Sequence, residues 1–196
     1  MVRSGKNEEV VASDGDLVVR RMRDADEDYA LMVKWRNEPH VLRWWDYDLP
    51  RLTMDLARDE YRVDTLPDSP STACIIEWDG APIGFIQFYL WSSYADGAEE
   101  VGIPFDDRTY SLDVFIGDPE VAGRGVGTRV VDLLSNHILG KLGGSAVSLT
   151  TDVDNHQAQR CYERAGFKKI KQVLDTDTYQ GERTMSWLMV KDGPKI

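Results

Sequence analysis

The stretch Val121–Arg129 reads V-A-G-R-G-V-G-T-R, with glycine at positions 123, 125 and 127, and it decides the interpretation of this chain. It lies between a hydrophobic segment that predicts a strand and an amphipathic segment that predicts a helix. Glycine at alternate positions lets the backbone turn sharply and bring several N–H groups together. The first turn of the helix adds unpaired N–H groups and the positive end of the helix dipole. The stretch therefore predicts a seat for a phosphate or pyrophosphate, with a simple tight turn as the alternative.

The spacing of these glycines argues against two common nucleotide-binding loops. It does not follow the G-x-G-x-x-G order of dinucleotide-binding proteins, and it lacks the G-K-[ST] of nucleoside triphosphate loops. We therefore expect a phosphate-bearing ligand other than NAD or ATP.

The composition indicates a single soluble domain. With 196 residues, of which 42% are hydrophobic and 29% charged, the chain is long enough to bury a full core. The polar, acidic segment 1–16 predicts a loose tail, and 17–192 predicts one folded domain. The sequence has no apolar run of about 18 residues that could cross a membrane, and its first residues lack the apolar core of a signal peptide.

The charge and the metal-ligating side chains restrict the partners. A net charge of −11 argues against nucleic acid and favours a cationic ligand, although many proteins are acidic simply for solubility. Two cysteines and three histidines are scattered without paired spacing, so we expect neither a disulfide framework nor a metal site; they are Cys74, Cys161, His40, His137 and His156. A reducing cytoplasm fits this cysteine usage best.

Hydrophobic periodicity predicts an α/β domain with the element order β-α-α-β-β-β-α-β-α-β-β. The predicted strands are 17–22, 71–78, 82–91, 111–117, 146–153, 168–173 and 183–190, and the predicted helices are 24–35, 53–62, 127–142 and 154–166. Asp79-Gly80 predicts a tight hairpin turn between the second and third strands.

Two motifs resemble those of the GCN5-related N-acetyltransferase (GNAT) superfamily. A-G-R-G-V-G at 122–127 is similar to the family's R/Q-x-x-G-x-G/A, except that Ala122 replaces the usual Arg or Gln. The segment 155–167, N-H-Q-A-Q-R-C-Y-E-R-A-G-F, fits N-x-x-A-x-x-x-Y-x-x-x-G-F at every specified position. The resemblance implies one GNAT-type domain with a central mixed, mostly antiparallel sheet flanked by about four helices.

A narrower resemblance covers most of the chain. W-R-N-E-P-H-V-L-R-W-W (35–45), P-I-G-F-I-Q-F-Y (82–89), L-D-V-F-I (112–116) and R-C-Y-E-R-A-G-F (160–167) resemble aminoglycoside 6′-N-acetyltransferases. That resemblance implies that the drug site is lined by Trp44, Trp45, Asp96, Asp113 and Asp152. The loop between Asp96 and Asp113 is a little longer than in the family, and the loop after Asp152 a little shorter. Ala98-Glu99-Glu100 stands where the family has an aromatic residue.

The resemblance also implies acetyl-CoA as co-substrate, with no metal. The glycine loop would hold the pyrophosphate, with Arg124 or backbone replacing the contact that Ala122 lacks, and the strand backbone would pair with the pantetheine arm. The implied cofactor-binding residues are Val114, Phe115, Ile116, Gly123, Arg124, Gly125, Val126, Gly127, Thr128 and Asn155. Tyr162 would protonate the departing thiolate; the alternative is a tyrosine that only packs on the sheet.

Asp113 is the carboxylate with the clearest functional interpretation. It lies in an otherwise apolar strand, where an unpaired charge is costly to bury. An alkyl ammonium and an aspartate differ by about six pKa units, roughly 8 kcal/mol against direct proton transfer. We therefore expect Asp113 to anchor the ammonium and to accept its proton late, through water. The alternative is a strand residue on the solvated face.

Three other functions remain open. The chain could acylate a siderophore lysine or another small-metabolite amine, although several separated carboxylates favour a substrate with several amines. A non-catalytic acyl-CoA-binding regulator is the alternative from another class, and intact Asp113 and Tyr162 argue against it. Acetylation of protein N-termini would need a peptide groove. We expect no nucleic-acid or membrane partner, and a monomer or a homodimer.

Overall fold

The computed structural model describes residues 9–45, 51–94, 106–179 and 182–194. The strands in these ranges are β1 (Val10–Asp14), β2 (Leu17–Arg21), β3 (Ser71–Trp78), β4 (Ala81–Leu90), β5 (Thr109–Ile116), β6 (Ala146–Asp152), β7 (Lys168–Tyr179) and β8 (Glu182–Asp192). The α-helices are α1 (Asp26–Arg36), α2 (Pro39–Leu42), α3 (Met54–Tyr61), α4 (Val126–Lys141) and α5 (His156–Arg164). In the described ranges no helix has the length and apolar character needed to cross a membrane.

All eight strands form one sheet in the order β1-β2-β3-β4-β5-β6-β8-β7. Every neighbouring pair is antiparallel except β5 and β6, which are parallel. The predicted α/β fold with a mixed, mostly antiparallel sheet is therefore confirmed. The structure adds the strand β1 and the single-turn helix α2 to the predicted order.

The prediction of a loose tail over 1–16 is wrong for the part that the structure describes. Residues 10–14 form β1, which pairs with β2 across a turn at Gly15, whose φ is +61°. Ala12 is buried, and Arg129 of α4 donates to the Asp16 carboxylate at 2.8 Å. Cross-strand pairing and this long-range ion pair hold the segment. Val10 and Val11 were a local strand signal, but the polar composition of 1–16 as a whole concealed it.

The sheet separates two apolar clusters. On one face, the side chains of α4 and α5 pack against Leu112 and other residues of the sheet. On the opposite face, α1 and α3 pack against Phe85 and Phe115. Because successive side chains of a strand point to opposite faces, Asp113 lies on the same face as Phe115, and Val114 on the face of Leu112.

The parallel strands β5 and β6 separate before they end. Their pairing is confined to 109–111 against 146–148. Beyond it, β5 continues beside β4 to Ile116, and β6 continues beside β8 to Asp152. The space between 112–116 and 149–152 is called the β5–β6 cleft here; it leaves strand backbone unpaired in the middle of the sheet.

Candidate active site

A large cavity of about 1880 Å³ includes the β5–β6 cleft and extends from α2 to the first half of β8. It brings together most of the side chains and backbone segments that the sequence predicts for the site. Those that line it are Trp44, Trp45, Asp113, Val114, Phe115, Ile116, Gly123, Gly125, Gly127, Thr128, Asp152, Asn155 and Tyr162. Asp96 lies outside the described residues.

The backbone of β5 presents alternate residues to the cleft. The Gly117 N–H donates to the Ile83 carbonyl at 2.8 Å, so the Gly117 backbone faces β4. Because backbone polar groups alternate in direction along a strand, those of Phe115 also face β4, and those of Val114 and Ile116 face the cleft. The expectation that all of 114–116 offers backbone to a ligand is therefore wrong for Phe115, which pairs with Phe85.

The glycine loop leads directly into α4. Gly123 and Gly125 have φ values of +83° and +82°, which other residues adopt only with strain. Gly125 is the N-cap of α4, and no side chain caps this helix. The first-turn N–H groups of α4 therefore point toward the cavity, as in other anion sites at helix N-termini.

The side chains of two predicted cofactor residues of this loop do not line the cavity. Arg124 is exposed and is not among the residues that line the cavity. The Val126 side chain is buried in the core, so only its backbone could contact a ligand. The sequence left the contact that Ala122 lacks to backbone or to Arg124, and the exposed position of Arg124 favours backbone N–H groups.

Asp113 is half-buried and is oriented by Gln87, whose Nε2 donates to the Asp113 carboxylate at 2.8 Å. The two residues lie directly opposite each other on β4 and β5. Gln87 was absent from the predicted site. Its signal was present in the sequence as the lone polar residue of P-I-G-F-I-Q-F-Y, but only the strand register shows that it meets Asp113.

Tyr162 reaches the cavity from the other face of the sheet. It lies on α5, its ring packs against Phe167 with 6.3 Å between centroids, and it belongs to the apolar cluster of α4 and α5. Burial raises the pKa of the Tyr162 phenol well above its ordinary value, and neighbouring Cys161 and the charge of Asp113 raise it further. The phenol therefore stays protonated and can act as a proton donor.

The two tryptophans occupy different environments. Trp45 is half-buried and packs edge-on against Phe115 at 5.0 Å and against Phe85 at 6.3 Å, so it covers the apolar cluster of α1 and α3. Trp44 is half-buried, with the Arg43 guanidinium 4.8 Å from its ring centroid. Both rings line the cavity near Asp113.

The guanidinium of a buried arginine, Arg36, lies beside the Trp45 ring. The Arg36 guanidinium lies 6.0 Å from the Trp45 ring centroid and pairs with Glu60 at 2.7 Å. It also donates to the Tyr61 hydroxyl. Residues of both α1 and α3 therefore contribute to the surroundings of the Trp45 ring.

Three other predicted residues make contacts within the protein. An Asp152 carboxylate oxygen accepts from the Asp154 N–H at 2.7 Å, so part of this side chain stabilises the turn after β6. The Asn155 oxygen caps α5 by accepting from the Ala158 N–H at 3.1 Å. The Thr128 hydroxyl donates to the Cys161 sulfur at 3.5 Å. Their predicted roles in ligand binding remain predictions.

A splayed pair of parallel strands, an uncapped helix behind a glycine loop and a protonated tyrosine fit the acyl-transfer site that the sequence resemblance implies. The family model described as "Acetyltransferase (GNAT) domain" matches residues 24–174. The chain therefore belongs to this family of acetyltransferases.

Within this family, the chain is similar to aminoglycoside acetyltransferases in both sequence and structure. The chain is 27% identical over 168 residues to aminoglycoside N(6′)-acetyltransferase type 1 of Klebsiella pneumoniae, covering 86% of this chain and 82% of the relative. It is similar to the solved structure of AAC(6′)-Ib with ribostamycin and coenzyme A, with a TM-score of 0.78, 25% identity and coverage of 91% and 94%. The AAC(6′)-Ib structure with coenzyme A and kanamycin gives a TM-score of 0.75, 26% identity and coverage of 90% and 94%.

Proposed function

We propose that this protein uses acetyl-CoA to acetylate the 6′-amine of aminoglycoside antibiotics and thereby confers resistance to them. The observation that carries the proposal is the position of Asp113. Its carboxylate is held by Gln87 in the cavity that also contains the β5–β6 cleft and the glycine loop. An acetyl donor bound in the cleft would therefore meet an ammonium group bound at this carboxylate.

The donor is bound through backbone. The pyrophosphate of acetyl-CoA is held at the N-terminus of α4, where Gly125 leaves the first-turn N–H groups accessible. The pantetheine arm extends along the cleft and pairs with the backbone of Val114 and Ile116. An N–H of this strand can also face the thioester oxygen, a stabilisation worth about 3 kcal/mol when well placed.

Asp113 prepares the acceptor. Its carboxylate attracts the ammonium form of the substrate, and Gln87 fixes the carboxylate orientation. The ammonium loses a proton, through water to Asp113, as the nitrogen attacks the thioester carbon. The C–N bond forms and the C–S bond breaks, so the acetyl group leaves coenzyme A for the amine.

Tyr162 completes the proton balance. The departing coenzyme A thiolate takes a proton from the phenol, which burial keeps in its neutral form. The nitrogen loses its second proton as the C–S bond breaks, and this proton restores the Tyr162 phenol through water. The proton held by Asp113 leaves to solvent, so one proton is released for each acetyl group transferred.

The remaining acceptor contacts favour a substrate with several positive charges. Asp152 lines the cavity at the end of β6, apart from Asp113 on β5, and the predicted Asp96 would add a further carboxylate. Charge-assisted hydrogen bonds of this kind contribute about 1.5–3 kcal/mol each. Trp44 and Trp45 offer aromatic faces to a sugar ring or an ammonium group.

The test is release of free thiol from acetyl-CoA in parallel reactions with kanamycin, tobramycin, gentamicin and a lysine-type amine. We expect rapid turnover with aminoglycosides and little with the lysine-type amine, because one amine cannot engage separated carboxylates. Bacteria that express the protein should also tolerate higher kanamycin concentrations than bacteria that express an Asp113→Asn variant.

Turnover with the lysine-type amine alone would instead support the acyltransferase of small-metabolite amines. Binding of coenzyme A without turnover on any amine would overturn the proposed reaction and favour a regulator.

A further inference from the structure

His40 connects the acceptor side of the cavity to the strand that borders the cleft. Its Nε2 lies 2.9 Å from the carbonyl oxygen of Ile116, which is 76 positions away in the sequence. A carbonyl oxygen only accepts, so Nε2 carries the proton and donates it. The imidazole is half-buried and lines the same cavity as Asp113 and Tyr162.

The Ile116 carbonyl accepts from a side chain at a level of the sheet where β5 has no strand on its cleft side. It faces the cleft, since the neighbouring Gly117 N–H faces β4. At this level β6 has already diverged, because β5 and β6 pair only as far as Ser111 and Ser148. The end of β5 is therefore fixed on the β4 side by Ile83, which accepts from the N–H groups of Gly117 and Asp118. On the cleft side, His40 takes the place of a neighbouring strand.

The position of His40 is itself fixed. Pro39 begins α2 at its first turn, where proline is favoured, and Val41 buries its side chain in the core. Just before α2, Asn37 accepts from the Leu52 N–H at 3.0 Å and donates to the Leu52 carbonyl at 2.9 Å. These two hydrogen bonds join the chain before α2 to the chain after it, so α2 is anchored next to the strand that ends at Ile116.

We propose that His40 is a positioning residue for the acyl donor: it holds the cleft-facing end of β5 where the backbone of Val114 and Ile116 meets the pantetheine arm. The inference rests on the proposed use of coenzyme A and is independent of which amine accepts the acetyl group. His40 acts through the Ile116 carbonyl and takes no part in proton transfer.

A matched pair of variants separates the hydrogen bond from the bulk of the side chain. His40→Gln keeps an N–H donor at nearly the same reach, whereas His40→Met has similar length and no donor. His137→Gln, on α4 and outside the cavity lining, is the control for replacing a histidine. Binding of coenzyme A to each protein is measured by titration calorimetry, with KM values for acetyl-CoA and for the amine from steady-state kinetics.

We expect His40→Met to weaken coenzyme A binding by about fivefold to tenfold, which is the range of one lost hydrogen bond. The KM for acetyl-CoA should rise by the same factor, with the KM for the amine changed by less than about twofold. His40→Gln should recover most of the affinity. All variants should melt near the wild-type temperature.

Three results would overturn the proposal: unchanged binding in His40→Met, tighter binding in His40→Met, or equal loss in the Gln and Met variants. Failure of every aminoglycoside as a substrate would refute the proposed acceptor, yet it would leave the calorimetric comparison intact.

Discussion

In the proposed reaction, the two sides of the cavity recognise their ligands by different means. The donor side consists of backbone: cleft-facing groups of β5 and the first-turn N–H groups of α4. The acceptor side consists of side chains from separate segments, with Trp45 after α2, Gln87 on β4 and Asp113 on β5. Backbone recognition depends on strand divergence and on the φ angles of a few glycines, whereas side-chain recognition depends on which residues converge.

This difference teaches where substitutions should act. On the donor side, most side chains can change without effect, and only changes that disturb the backbone should reduce affinity for coenzyme A. On the acceptor side, removal of a single polar atom should reduce turnover while coenzyme A still binds. An acceptor-side variant that also lost affinity for coenzyme A would show that the two sides do not act separately.

The largest effect is expected for Asp113→Asn. Loss of the charge removes both the ammonium anchor and the proton acceptor, so turnover should fall about 1000-fold, within the range of general acid–base catalysis. Coenzyme A affinity should stay within about twofold, because the strand backbone is unchanged. Steady-state kinetics and calorimetry on the same sample check this, with Asp55→Asn on the exposed surface of α3 as the control. Equal turnover in the two variants would remove Asp113 from the mechanism.

Tyr162→Phe should give the next largest effect. The ring still packs against Phe167, but the thiolate departs without a proton donor, so turnover should fall about 100-fold. Because the pKa of the phenol is raised, the neutral donor persists as pH rises through the ordinary tyrosine value near 10. The tyrosine should therefore impose no alkaline fall in turnover below that pH, as a pH–rate profile will show. A Phe variant with wild-type turnover would assign Tyr162 to packing alone.

On the donor side, Gly125→Ala should weaken coenzyme A binding by about tenfold, since a φ of +82° costs a residue with a Cβ roughly 1–2 kcal/mol. Relief of that strain would move the N-terminus of α4. Gly140→Ala is the matched control: this glycine lies inside α4 with open space around its Cβ position, so the change should stabilise the fold by up to about 1 kcal/mol. Calorimetry measures the affinity of each variant for coenzyme A, and thermal melting measures the stability of each fold. Undiminished binding of coenzyme A to Gly125→Ala would contradict the proposed pyrophosphate site at the N-terminus of α4.

The smallest effect is expected for Gln87→Leu. Without the amide, Asp113 keeps its charge but loses its orientation, so turnover should fall about fivefold, the scale of one hydrogen bond. Gln172→Leu, on the exposed face of β7, should leave turnover unchanged. A loss as large as that of Asp113→Asn would instead show that Gln87 contacts the substrate directly.

The sequence predicted the local backbone features of the donor side better than the contacts between distant segments. The glycine loop, the helix behind it and the hairpin turn were predictable because they are local: Asp79 and Gly80 indeed have φ values of 54° and 77°. The Gln87–Asp113 and His40–Ile116 contacts depend on strand register and on packing between distant segments, which a single sequence does not specify. β1 was missed because the polar residues of 1–16 as a whole outweighed the local signal of Val10 and Val11.

The most direct test of the proposed reaction compares two aminoglycosides that differ at one atom. Neomycin has an amine at the 6′ position, and paromomycin is the same molecule with a hydroxyl there. Release of thiol from acetyl-CoA, measured with both drugs under identical conditions, should be rapid with neomycin and at background with paromomycin. Equal release with the two drugs would contradict acetylation at the 6′-amine.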